Sequence, residues 1–473
     1  MTNKKHLIFK ALALALFCIF LIPSLGEQGM FSDGLLYGTI SQNLALGKGS
    51  FWMPYCSDFF LSEFSGHTPL ALNIQSVFFK VLGDYHWIER LYSLLTVVFT
   101  ALGMVLVWRT AFPKFKDYFW LPLIFWIIIP SVTWSINNNM LENTVNIFNV
   151  FGVYFILKSL KKEKIGVQWI LLSALFLLLA YLSKGLPTIF PLAAFGCYAV
   201  SHVQFSKKII LSQVLLVAFW SALLFTLITL IPEAKNNLYQ SVTQQFSTSQ
   251  NAVTKDSRFF IIGRLLLDLL PVWILVFGIL GWKFLKEKTY FLENKETLKM
   301  STFLLLIGFS GVLPIILSTK QSGFYIVPAT MFFALGLSSA ILPAIIPFLQ
   351  KASNKSWFRY VGTLSSSIIV FSFSLMISNW NTYNRDEGLI EDVKIIGQTV
   401  EVDKMSIQQH PQLKWNVIVY FMRYEKISLE EGSQMHYVIS KKGTAILDKY
   451  KEVDLDLKEL VLFERIEDNV ISN

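Results

Sequence analysis

Five ionisable side chains stand at the ends of apolar stretches that should exclude them: Asp33, His67, Glu142, Lys184 and Lys320. Asp33 lies in Phe31-Ser32-Asp33-Gly34-Leu35-Leu36-Tyr37, and Glu142 in the polar island Asn137-Asn138-Asn139-Met140-Leu141-Glu142-Asn143-Thr144. Lys184 breaks a long apolar stretch in Tyr181-Leu182-Ser183-Lys184-Gly185-Leu186-Pro187. Lys320 repeats that arrangement in Ser318-Thr319-Lys320-Gln321-Ser322-Gly323-Phe324-Tyr325. His67-Thr68-Pro69-Leu70 and Glu89-Arg90-Leu91 add a histidine and an arginine. Two carboxylates could supply a general base and a stabiliser for positive charge developing on a sugar carbon. Lysines, an arginine and a histidine could hold a leaving phosphate by charge-assisted hydrogen bonds.

Each residue also has an ordinary structural use. Asp33 and Glu142 would serve as helix caps, and a lysine at a helix end can snorkel to the interface. A lone His or Arg in a loop is usually just solvated. Against this, carboxylates at membrane depth are costly and tend to face the protein interior or a water-filled cavity. The chain has no glycine-rich loop ending in Lys-Ser or Lys-Thr, and no paired His or Cys at metal-ligand spacing.

The elements that must position these groups are membrane helices. Apolar residues make up 53% of the 473 and charged residues 15%, with a mean hydropathy of +0.51. A soluble domain is closer to about one quarter charged. Apolar runs fall near 7–25, 91–108, 118–135, 143–158, 167–183, 186–203, 209–231, 259–282, 300–318, 323–348 and 360–379, eleven in all. Each approaches the length that crosses a ~30 Å hydrocarbon core. The net charge of +9 comes mostly from Lys and Arg in alternate short loops, among them Lys161, Lys162, Lys207, Lys208, Lys286 and Lys351. That asymmetry predicts a cytoplasmic N-terminus and a C-terminus outside, and it removes any need for a nucleic-acid partner. All five candidate residues then share the outer side. Lys4-Lys5 and the apolar stretch to Leu25 are expected to form an uncleaved first helix, because the stretch is long and Pro23-Ser24-Leu25-Gly26 is a poor cleavage site. Cys18, Cys56 and Cys197 offer no disulfide framework.

Residues 27–90 form a long outer loop in which Pro69 to Leu82 is expected to be a helix lying along the interface. The polar loop 232–258, rich in Gln, Ser and Thr, is a candidate acceptor-side lid. After Trp380 the chain turns polar, with a helix-like stretch at Glu387–Lys404 and strand-like ones at Val417–Phe421, Tyr437–Ser440 and Leu460–Phe463. The expected architecture is therefore a mainly α, polytopic membrane domain of about eleven helices over 1–379, followed by a small extracytoplasmic α/β domain over 380–473. No internal repeat is visible, which disfavours a transporter built from repeated halves.

In their order, these motifs resemble the GT-C membrane glycosyltransferases, in particular the branch of protein O-mannosyltransferases and the aminoarabinose transferases that modify lipid A. The resemblance covers roughly residues 1–345. Asp33-Gly34-Leu35-Leu36-Tyr37 occupies the place of the family's Asp-Glu near the end of the first span, and His67-Thr68-Pro69-Leu70 that of its Lys-Pro-Pro-Leu. Arg90-Leu91-Tyr92-Ser93 resembles Arg-Leu-Pro-Ser, Glu142 the acidic residue opening the fourth span, and Ser183-Lys184-Gly185 the Thr-Lys-Gly turn. Pro271-Val272-Trp273 resembles a late Pro-Trp element, and Ser318-Thr319-Lys320…Tyr325…Pro328 the Ser-x-Lys…Tyr…Pro element. The chain departs from the pattern at Gly34, where the family has a second carboxylate, at Leu36, where some relatives have arginine, and at His67, where it has lysine. Gly66 stands where some relatives carry a metal-binding glutamate, so no metal is expected there.

The resemblance implies an inverting glycosyltransferase of the multi-pass cell (inner) membrane that uses a polyprenyl-phosphate-linked sugar. It would act on a hydroxyl of an envelope lipid, glycan or protein, without nucleotide or redox cofactor. It casts Asp33 as base and Glu142 as the residue that positions substrate or balances charge. Lys184, Lys320, Arg90 and His67 would hold the donor phosphate, with Tyr37 and Tyr325 against substrate. A transporter or flippase of a lipid-linked or anionic substrate is the main alternative, although its charges would usually lie near the bilayer midplane. A ligase moving a whole glycan and a non-catalytic envelope protein also remain open.

Overall fold

The computed structural model describes residues 3–466 other than 252–256, 288, 319, 409–412, 414, 433–434 and 446–447. Its first helices are α1 (Asn3–Leu21), α2 (Ser32–Ala45), α3 (Leu70–Leu82), α4 (Ile88–Ala111), α5 (Trp120–Ile127), α6 (Pro130–Asn137), α7 (Glu142–Leu160) and α8 (Val167–Lys184). There follow α9 (Ala194–His202), α10 (Lys207–Leu230), α11 (Pro232–Asn251), α12 (Phe260–Asp268), α13 (Leu270–Lys286), α14 (Tyr290–Glu293) and α15 (Lys295–Val312). The last are α16 (Val327–Ala352), α17 (Phe358–Ser378), α18 (Glu387–Thr399) and α19 (Asn416–Glu425).

Uninterrupted apolar helices satisfy every backbone group within the segment, which a bilayer demands. Among the described residues, six helical stretches are long and apolar enough to cross one: α4, α8, α10, α15 with the turn after it, α16 with the turn before it, and α17. The number is eight if each bent pair is one span. The bends fall at prolines, which remove a backbone donor and clash with the preceding turn: α5 and α6 meet at 73° at Pro130, and α12 and α13 at 68° beside Pro271. The remaining apolar runs are helical but fall short of that standard. Helix α1 carries Lys4, Lys5 and Lys10, and α7 carries Glu142 with three asparagines; Pro187 and Pro191 start short 3-10 turns before α9. The segment after Pro232, expected as a loop, forms the 20-residue helix α11.

The chain divides into two compact units. The first comprises residues 1–25, 65–71 and 90–380. Its core is aromatic and aliphatic, with Trp108, Trp126, Phe195, Phe303, Phe332 and Phe333 fully buried. Every residue of α16 from Val327 to Leu342 is buried, as expected of a helix that is apolar all round. Close approach of α7 to α8 needs Gly152, where a Cβ would lie 2.7 Å from the Leu177 side chain.

The second unit comprises residues 26–64, 72–89 and 381–473. It holds α2, α3, α18, α19 and strands β1 (Lys404–Ile407), β2 (Ser428–Glu431), β3 (Tyr437–Lys441), β4 (Tyr450–Glu452) and β5 (Leu460–Arg465). The sheet order is β2-β1-β3-β5-β4, with β2, β1 and β3 parallel and the β3-β5 and β5-β4 pairs antiparallel. Buried Asp392 of α18 accepts backbone N–H bonds from Lys458, Glu459 and Leu460 at 2.7, 2.7 and 2.8 Å, tying α18 to the start of β5. One expectation is overturned: Val417–Phe421 belongs to α19, not to a strand. All five residues are buried, and a short, fully apolar run gives no periodicity to separate strand from helix. The helix expected over Glu387–Lys404 stops at Thr399, and Lys404 opens β1 instead.

Candidate active site

Helix α8 ends at Lys184 because Gly185 takes φ +94°, a left-handed region that favours glycine. The Gly185 N–H returns to the Tyr181 carbonyl at 2.7 Å. Helix α7 begins at Glu142, after the Asn-rich turn. Asn143 bonds Ser135 in both directions at 2.9 and 3.0 Å, and Thr144 shares a 2.6 Å hydrogen bond with Tyr92 of α4. These two helix ends meet: the Lys184 ammonium donates to Glu142 Oε1, with the residues only 5% and 1% exposed. A carboxylate at a helix start and a cation at a helix end each gain from the helix dipole. The second carboxylate oxygen, Oε2, is buried with no hydrogen-bond partner among the described residues. A buried carboxylate left half satisfied is costly.

Aromatic rings complete the lysine's surroundings. The Lys184 Nζ lies 5.5 Å from the Phe324 ring and 5.4 Å from the Tyr325 ring, and Trp134 stacks on Phe324 at 5.5 Å. The Thr68 hydroxyl donates to the Tyr181 carbonyl at 2.6 Å, which brings His67 to the end of α8. Loss of solvation, and then the Lys184 and Lys320 cations, push the His67 imidazole down to about 3 against a hydrogen bond with the Lys184 backbone. His67 is therefore neutral near pH 7 and offers hydrogen bonds, not charge. The Lys320 loop is pinned from beneath: buried Gln321 donates to the carbonyls of Arg258 (2.7 Å) and Ser318 (3.1 Å) and accepts from the Ile261 N–H (3.0 Å). Thr319 of the same motif lies outside the described residues.

The first unit thus gathers Glu142, Lys184, Tyr325 and His67, with Lys320 close enough to act on His67. Arg90 is buried in the first turn of α4, two residues before Tyr92. Asp33 and Tyr37 belong to the second unit. Asp33 sits inside the first turn of α2, after Phe31 as N-cap, and Tyr37 is buried one turn on. Among the described residues no group of three His, Cys, Asp or Glu side chains could hold a metal ion.

Two residues of this neighbourhood were not singled out in the sequence. Gln245 of α11 donates to the Lys184 carbonyl at 3.2 Å, and a Cβ on Gly185 would meet its amide at 2.5 Å. Arg264 lies against the Phe324 loop, its Nε 3.0 Å from where a Gly323 Cβ would stand, and pairs with Asp268 at 3.0 Å. The signal for the second was present, since Arg264 and Asp268 are opposite charges four residues apart inside an apolar run.

Solved structures share this fold. ArnT from Cupriavidus metallidurans bound to undecaprenyl phosphate aligns with a TM-score of 0.64 at 12% identity, covering 98% of each chain. Its apo state gives 0.62 at 13% identity, over 96% of this chain and 97% of that one. The chain has the GT-C fold. The archaeal oligosaccharyltransferase AglB from Archaeoglobus fulgidus, in complex with an inhibitory peptide and a dolichol-phosphate, gives 0.56 at 10% identity, over 93% of this chain and 70% of that one. No protein-family profile and no curated protein sequence matches the chain. Within this GT-C fold, the first unit offers a buried cation with aromatic walls and a counter-carboxylate that has one oxygen to spare. The lysine ammonium can donate charge-assisted hydrogen bonds, for which the neighbouring carboxylate competes.

Proposed function

We propose that this protein is a polyprenyl-phosphate-dependent membrane glycosyltransferase. It would transfer a sugar, with inversion, to a hydroxyl of an envelope lipid, glycan or protein on the outer face of the cell (inner) membrane. The observation that carries the proposal is the buried Lys184–Glu142 pair between aromatic rings, in a fold whose ArnT example was solved with undecaprenyl phosphate. In this reading the Asp33 carboxylate takes the acceptor's hydroxyl proton. The acceptor oxygen bonds to the anomeric carbon as the carbon–oxygen bond to phosphate breaks, and the electron pair leaves on the lipid phosphate. Lys184 and Lys320 meet the charge that develops there, with Arg90 and neutral His67 adding hydrogen bonds. Tyr325 walls the lysine, Tyr37 supports the α2 side of the substrate, and Glu142 holds Lys184 in place until the phosphate arrives.

The loop-charge asymmetry supports eleven spans, with the N-terminus in the cytoplasm and residues 380–473 outside. Transfer from the endogenous donor, followed by mass spectrometry of envelope glycolipids and glycoproteins in isolated membranes, tests the proposal. Asp33→Asn should abolish product while protein level and undecaprenyl phosphate binding persist. Unchanged turnover in that variant rules out the base. Movement of labelled lipid across vesicles with no change in its glycan would identify a flippase instead.

A further inference from the structure

The second unit contains a buried ionic knot that the proposed reaction does not use. Arg423, in the last turn of α19, is 5% exposed. Its Nε donates to Glu89 Oε1 at 2.7 Å, its Nη1 to Asp84 Oδ1 at 2.8 Å and its Nη2 to the Tyr85 carbonyl at 3.1 Å, while the guanidinium lies 5.1 Å from the Phe79 ring. Lys426 reaches the other Asp84 oxygen at 2.6 Å. A buried guanidinium is tolerated when its donors are met in this way, and the two cations hold the Asp84 carboxyl below its ordinary range despite its burial.

What this knot grips is α2. The Glu89 carboxylate lies directly on Gly38, where a Cβ would stand 2.7 Å from Oε1 and 2.8 Å from Cγ. One turn further along the same face, Gln42 donates to the Arg423 carbonyl at 3.3 Å. Ser41 adds a 3.0 Å bond to Gln75 of α3, and Asn43 a 2.6 Å bond to the Cys56 carbonyl. Asp33 stands five residues before Gly38, about 7.5 Å along the helix axis, so a shift or tilt at Gly38 is carried to its carboxylate.

We propose that Arg423 and Glu89 are positioning residues: the C-terminal segment clamps α2 through them and so fixes Asp33 for proton abstraction, without contributing to donor binding. The proposal rests on the reading of Asp33 as the base. Misplacing a reacting group by about 1 Å costs on the order of 10²-fold in rate. Arg423→Met should therefore lower endogenous glycosyl transfer in membranes by about that factor, and Arg423→Lys, which keeps one ionic contact, by about tenfold or less. Glu89→Gln and Gly38→Ala perturb the same contact from the other side and should also slow transfer, whether or not Arg423→Met folds. In all four purified full-length variants, undecaprenyl phosphate binding should stay within about twofold of the parent, while hydrogen exchange over residues 32–45 should accelerate. Parental transfer rates in folded Arg423→Met, Glu89→Gln and Gly38→Ala would overturn the clamp. So would losses of transfer matched by equal losses of undecaprenyl phosphate binding. An Asp33→Asn variant that still turns over would instead overturn the base, so the two failures are distinct.

Discussion

Replacing Lys184 alone should strand a charge. Its ammonium is the partner of Glu142 Oε1, and Oε2 has none among the described residues. The two side chains are 6% and 1% exposed, so solvent cannot take over. Breaking a buried ion pair from one side costs about 3–5 kcal/mol, whereas replacing both members by apolar groups of similar volume is often neutral. Lys184→Ala should therefore lower the thermal unfolding midpoint in detergent by several degrees. Lys184→Met combined with Glu142→Leu should return it close to the parental value. Donor affinity should follow a different pattern. Undecaprenyl phosphate binding, measured by calorimetry on the same proteins, should be weak in both Lys184 variants, because neither retains the cation. A double variant as unstable as Lys184→Ala would refute the stranded-charge argument. A double variant that binds undecaprenyl phosphate as the parent does would refute the role of Lys184 in phosphate binding.

Glu142→Gln frees Lys184 from its counter-charge, so undecaprenyl phosphate should bind several-fold more tightly, about 1 kcal/mol, while glycosyl transfer in membranes falls. Gly185→Ala forces a side chain into φ +94° and against Gln245; a loss of about 1–3 kcal/mol is expected in unfolding measurements. Adding Gln245→Ala should relieve the contact but not the backbone strain. The pH dependence assigned to His67 has a definite sign. Its imidazole is held at about 3 in the fold against 6.5 when free, so the unfolded chain binds the extra proton first. Stability from this group is complete above pH 6.5 and is lost as pH falls toward 3. His67→Gln should flatten that part of the thermal stability profile between about pH 7 and about pH 4.

The helical character of the first unit could be read directly from the sequence, because a membrane-length apolar run is a statement about composition. The helix at Leu70–Leu82 and the strands near Tyr437 and Leu460 appear where the pattern puts them. Val417–Phe421 misled because its burial is complete and erases alternation. The polar segment after Pro232 carries no apolar stripe that would betray α11. Pairings between distant charges were illegible for a different reason. Glu142 and Lys184 are 42 residues apart, and their meeting depends on α7 and α8 packing closely at Gly152. Arg423 and Glu89 are 334 residues apart; in sequence the first is one more cation in a last helical turn, and the second merely precedes Arg90.

The choice between capping and chemistry, which the sequence leaves open for Asp33 and Glu142, dissolves once the helix starts are placed. Neither residue is an N-cap: Phe31 and Leu141 hold those positions, without side-chain cap bonds. Both carboxylates sit inside the first turn, as Glu89 does in α4, and Lys184 sits in the last turn of α8. Each such placement gains roughly 0.3–1 kcal/mol from the helix dipole, up to about 2 when partly buried. That is far below the several kcal/mol that desolvating an ion costs. The remainder must come from a specific partner, and the partners differ. Glu89 has the multiply bonded Arg423. Glu142 has the single ammonium of Lys184, and for both glutamates the second oxygen is buried with no hydrogen-bond partner among the described residues.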